Sequence, residues 1–73
     1  MVQETFLGLP REKQMRIINA ALAAFSQKGY YRTSVEDIAK NAGVSKGSLY
    51  QYFSGKKGLF LFIKEISRII NEK

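Results

Sequence analysis

In "NAGVSKGS" a helix stop and a helix start lie one residue apart: Gly43, then Val44, then Ser45. Glycine ends helices because it adopts a left-handed backbone at no steric cost. Serine starts them because its hydroxyl accepts from a free first-turn N–H. With only Val44 between them, one short helix must give way at once to another. The second, "KGSLYQYF", is too short to be stable alone, so its neighbours must hold it.

The flanking segments supply those neighbours. Pro10 suits a first helical turn, where a missing N–H costs nothing. Ile17, Ile18, Ala21, Leu22 and Phe25 then recur at three- and four-residue steps, and Lys28-Gly29 closes the stripe, predicting a first helix over about 10–28. The second helix opens on two overlapping capping patterns, Thr33-x-x-Glu36 and Ser34-x-x-Asp37, which the sequence does not separate. Val35, Ile38, Ala39 and Ala42 are its inner face. The third runs from Lys46 to Phe53. Ser54 is the expected cap of a fourth, with its stripe at Leu59, Phe62, Ile63, Ile66, Ile69 and Ile70, running to the end of the chain. "LFLFI" alone could read as a buried strand, but the helical period continues well past it. The expected fold is all-α: four helices, the middle two very short.

Seventy-three residues make one domain, whose core supplies only about 3–5 kcal/mol net. With no Cys and no His, a disulfide staple and a Cys/His zinc site are both excluded. Twelve Lys and Arg against six Asp and Glu give a net charge of +6, which favours an anionic partner. "MVQETFLGLP" has no signal-peptide character and no apolar run reaches membrane-spanning length, so a cytoplasmic protein without membrane association is expected.

Spacing around the Gly turn narrows the reading. A small residue (Ala39), Gly four later, an apolar residue at Val44 and another at Leu49 form the packing pattern of a DNA-binding helix-turn-helix, here over 34–53. With Leu49 and Phe53 inward, Lys46, Gly47, Ser48 and Tyr50 face outward. Gly47 lets backbone and base edges approach, Ser48 can donate or accept at a base edge, Lys46 brings charge, and Tyr50 brings a hydroxyl and an aromatic face. Candidate phosphate contacts are Thr33 and Ser34 at the start of the second helix, Tyr52, and Lys56 and Lys57 in "SGKKG". Blander alternatives are a core role with a wet tip for the tyrosines, Tyr52 above all, and a solvated turn for the lysines. "SGKKG" lacks the spacing of a nucleotide-binding P-loop.

Taken together, "AALAAF", "KGY", "TSVEDIAKNAGVSKGSLYQYF" and the following Lys and "LF" resemble the N-terminal DNA-binding domain of TetR-family transcriptional regulators, over about residues 14–63. The resemblance implies a homeodomain-like three-helix domain plus the start of a fourth, connecting helix. It divides the chain into an N-terminal arm (1–9), a DNA-binding core (10–53) and a fourth helix (54–73). It also implies a homodimer, usually a repressor, on double-stranded operator DNA. Positions matching Lys46, Gly47, Ser48 and Tyr50 would lie at the bases; those matching Ser34, Tyr52 and Lys56 would meet phosphate, with Thr33 and Lys57 beside them. In the family a larger C-terminal domain binds a small-molecule effector, makes the dimer, and releases DNA through the fourth helix. This chain stops at Lys73 inside that helix, and reads as the DNA-binding portion of a longer regulator, a stand-alone domain being the alternative.

Phe60 and Leu61 lie off the main stripe of the fourth helix, on faces expected to be incompletely covered, and Phe6 and Leu7 have no assigned place. These surplus apolar residues keep a protein-interaction module as a rival reading. A membrane-surface helix over "KKGLFLFIKEISRII" is disfavoured because Glu65 interrupts its basic face. No enzyme, metal or cofactor is expected: Ser45 and Lys46 are adjacent rather than a converging pair, and Glu36 and Asp37 point apart and serve the helix dipole.

Overall fold

A computed structural model describes residues 4–70. Its helices are α1 (Glu4–Leu7), α2 (Arg11–Arg32), α3 (Val35–Ala42), α4 (Lys46–Tyr52) and α5 (Lys56–Ile70). Helix α2 is the spine: α3 and α5 pack on it, α4 packs on α3, and α1 on α4. One core joins them, with Ile17, Ala21, Ile38, Leu49, Phe53 and Leu59 almost wholly buried. None of the described helices is long and apolar enough to cross a membrane.

The expected bounds shift at several ends, each for a local reason. Pro10 caps α2 rather than joining it: its backbone is extended, and its carbonyl accepts from the N–H groups of Lys13 and Gln14. Helical dihedrals stop at Gly29 (φ 81°, ψ 172°), where the stop was expected, and a further turn, Tyr30 to Arg32, follows that break. At α3 the capping ambiguity resolves to Ser34, whose Oγ accepts from the Asp37 N–H at 3.1 Å. Helix α4 ends at Tyr52, with Phe53 extended behind it. Helix α5 opens one residue later than Ser54 could cap, because the Gly55 carbonyl accepts the first helical bond, from Leu59. The predicted run to Lys73 is described as far as Ile70, and residues 71–73 lie outside the described part.

Gly43 adopts the left-handed conformation (φ 76°, ψ 28°). Its N–H donates to Lys40 O, and the Val44 N–H reaches back to Ala39 O at 3.0 Å. This double bond pattern is a Schellman motif, which satisfies the last carbonyls of α3 and sets the direction of the exit. Val44 packs half-buried against the core, completing the corner.

The largest departure is at the N-terminus. The arm expected over 1–9 contains a helical turn, α1, and Phe6 is one of the most buried side chains. Its ring lies 5.0 Å from Phe53, 5.6 Å from Phe62 and 5.9 Å from Tyr52, between centroids. The Gln14 side-chain amide fastens the segment by donating to Leu7 O and Leu9 O. Phe60, expected on an incompletely covered face, is half-buried and meets Phe25 edge-on at 5.0 Å and Tyr30 at 4.8 Å. Leu61 is exposed, as its position off the stripe implies.

Phe6→Ala is therefore expected to cost about 3–5 kcal/mol, comparable to the whole stability of a domain this size. The exposed neighbour Leu7→Ala should stay within about 0.5 kcal/mol. Urea denaturation followed by circular dichroism checks both, and equal effects would show that α1 contributes nothing to the core.

Candidate nucleic-acid interface

Helix α4 is held entirely from behind. Leu49 and Tyr52 are buried, and Phe53 just beyond it is buried too. Its start is fixed by Ser45, whose Oγ accepts from the Ser48 N–H at 3.0 Å. The Ser45 hydroxyl in turn donates to Ser48 Oγ at 2.9 Å. Since Ser48 Oγ accepts there, its own proton is free to go to an outside acceptor.

Lys46, Gly47 and Tyr50 are all exposed on the outer face. The Lys46 ammonium lies 3.3 Å from Glu36 Oε2 on α3 and 5.9 Å from the Tyr50 ring centroid. At Gly47 a Cβ would meet only Ser45 Oγ, at 4.0 Å, so nothing inside the protein requires a glycine there. Of the four residues that sequence spacing placed together, the structure exposes Lys46, Gly47 and Tyr50 and leaves Ser48 half-buried.

The phosphate candidates divide. Ser34 and Lys57 are accessible, and Ser34 sits at the positive end of α3. Thr33 is turned inward and is only 3% exposed. Its Oγ1 donates to Gly29 O at 2.7 Å and to Ala24 O at 3.1 Å. That corrects the expectation of a phosphate-facing hydroxyl: the break at Gly29 leaves carbonyls without helical donors, and Thr33 supplies one. Lys56 is corrected in part. Its ammonium donates to Tyr30 O at 2.8 Å and Thr33 O at 3.0 Å, and sits 4.4 Å from the Tyr30 ring centroid. Two of its three protons serve the α2–α3 corner, leaving one for an outside acceptor. The Tyr52 ring is buried and packs on Phe6.

A shallow depression beside α4 gathers Tyr31, Arg32, Ser34, Glu36, Lys46 and Tyr50. Tyr31, Arg32 and Glu36 were not among the sequence candidates. Tyr31 is 91% exposed, far more than a large aromatic ring ordinarily is. The available signal was position: Tyr31 and Arg32 immediately precede the α3 cap, so whatever meets Ser34 lies close to them.

Residues 17–63 match the family described as bacterial regulatory proteins, tetR family. The HTH-type transcriptional regulator YuxN of Bacillus subtilis (strain 168) is 45% identical over 69 residues, covering 86% of this chain and 24% of that protein. The biofilm operon icaADBC HTH-type negative transcriptional regulator IcaR of Staphylococcus aureus (strain Newman) is 44% identical over 45 residues, 62% of this chain and 24% of its own. A crystal structure of a TetR family transcriptional regulator from Chloroflexus aurantiacus J-10-fl superposes with a TM-score of 0.80 at 37% identity, over the whole of this chain and 36% of the other. The chain thus spans about a quarter of the length of these curated relatives.

Lys56→Met should destabilise the fold by about 1–3 kcal/mol, the cost of leaving carbonyls without their charged donor, whereas Lys57→Gln should stay within about 0.5 kcal/mol. Urea melts of the two variants decide the assignment, and a neutral Lys56→Met would remove the corner role.

Proposed function

Since the chain belongs to the TetR family of bacterial regulatory proteins, we propose that it binds double-stranded operator DNA by inserting α4 into the major groove. Gly47 carries the reading. A glycine in a helix costs up to about 1 kcal/mol relative to alanine, and here neither backbone conformation nor internal packing calls for one. Its absent side chain serves a close approach from outside, between a cation at Lys46 and hydroxyls at Ser48 and Tyr50. The net charge of +6 supports an anionic partner.

In this reading Lys46, Gly47, Ser48 and Tyr50 face the bases. Ser34 and Lys57 hold phosphate, joined by the remaining Lys56 proton and the Tyr52 hydroxyl. Thr33 acts from behind, by fixing the corner that presents Ser34. The chain acts in the cytoplasm as part of a homodimeric regulator that answers a small effector through a C-terminal region. Leu61 and Ile69, exposed on α5, offer that region an apolar face. Repression is the favoured direction, because the similar IcaR is named a negative regulator.

Fluorescence anisotropy with labelled duplexes tiling the region upstream of the gene, at several salt concentrations, tests the proposal. Lys46→Ala and Tyr50→Ala should each weaken binding by about 1–3 kcal/mol while remaining folded. Gly47→Ala should raise thermal stability, by up to about 1 kcal/mol, and still weaken binding. Binding that ignores salt, or that survives all three substitutions, would sink the groove assignment.

A further inference from the structure

Two acids open α3 side by side, and the structure sends them to opposite places. Asp37 faces Lys28 across the α2–α3 groove at 3.5 Å. Glu36 faces the depression beside α4 and holds Lys46 at 3.3 Å. Both carboxylates serve the dipole of α3, so the dipole does not explain why one of them stands among the cations of the interface. Nor does stability: the Glu36 and Lys46 side chains are 70% and 51% exposed, and ion pairs that open to solvent contribute little.

We propose that Glu36 is a specificity-determining residue, restraining Lys46 from indiscriminate contact with phosphate; this rests on the DNA-binding reading above. A carboxylate only accepts hydrogen bonds, and phosphate offers no donor. A domain resting on DNA backbone alone either keeps Lys46 on Glu36, with its charge already neutralised, or releases it and sets a bare carboxylate against the phosphates. In the major groove the exocyclic amines of cytosine and adenine do offer donors, so a matched site can satisfy the carboxylate while freeing the lysine. Glu36 thus lowers affinity for DNA at large more than for a matched site. Screening confines the effect to the charges around Glu36, and of the cations in the depression Lys46 is the one it pairs with.

The test is the binding of a short mixed-sequence duplex, followed by anisotropy at several salt concentrations. Wild type, Glu36→Gln, Asp37→Asn, Lys46→Gln and the Glu36→Gln/Lys46→Gln double variant are compared, each confirmed folded by circular dichroism. Glu36→Gln should bind several-fold more tightly than wild type at low salt. Its plot of log K against log salt should steepen by about 0.9, the signature of one more neutralised phosphate. The gain should vanish in the Lys46→Gln background, and Asp37→Asn should show much less of it. An equal gain from Asp37→Asn would reduce the effect to net charge and overturn the proposal. A gain that persists without Lys46 would overturn it too, as would no gain in a protein that binds the duplex. If folded wild type and variants all fail to bind any duplex at low salt, the DNA-binding reading itself falls, and this proposal with it.

Discussion

Helix α4 has seven residues, too few for its own hydrogen bonds to overcome the cost of starting a helix. It exists because Leu49, Tyr52 and Phe53 are buried on one side and because Ser45 and the Gly43 turn fix where it begins. The aromatic cluster behind it is the deepest of these supports. Phe6, Phe53 and Phe62 meet with centroids 5.0–5.6 Å apart, joining α1, the end of α4 and the middle of α5. A helix anchored wholly from behind can leave its other face to chemistry that contributes nothing to folding. That is the arrangement a docking surface requires: a fixed position without dependence on the exposed groups.

The α2–α3 corner obeys a second constraint. Breaking α2 at Gly29 strands carbonyls that a continued helix would have satisfied, and a buried carbonyl without a donor is costly. Two side chains supply donors: the Thr33 hydroxyl and the Lys56 ammonium. The same corner gathers Tyr30, Phe25 and Phe60 into one cluster, Phe60 edge-on to both other rings, with Lys56 over the Tyr30 ring. Helix α5 is therefore tied through its first residue to the segment that presents Ser34. In a longer regulator, a displacement of α5 would pull directly on this corner.

The helices and the outward residues of α4 were legible because they follow period and punctuation. The stripe of α2, the Gly43–Val44–Ser45 corner and the outward set Lys46, Gly47, Ser48 and Tyr50 need only local rules. What was not legible depends on who meets whom across the chain. Phe6 is six residues from the N-terminus and has no periodic partner; its place is defined by Phe53 and Phe62, far away in sequence. Thr33 and Ser34 carry equivalent capping signals, and only the break at Gly29 turns one inward and the other outward. Lys56 reads as a surface cation until the carbonyls it meets, 23 and 26 residues earlier, are in view. Glu36 and Asp37 look alike as helix-start acids, and their divergence appears only when Lys46 and Lys28 are placed.

These cases share a logic that bears on how such a surface is read. Along the core, each residue is accounted for by what it packs against, so its presence says little about a partner. Around the outer face of α4 that accounting fails: Gly47 weakens its own helix, and Glu36, on the neighbouring α3, places a negative charge among cations for little stability. Lys56 shows the converse, because a cation that looks like a ligand contact is largely occupied within the fold. The residues that speak for function are the ones the fold would be as well or better without. By that measure the proposed interface centres on Gly47 and the Lys46–Glu36 pair, rather than being spread evenly over every basic residue of a strongly basic chain.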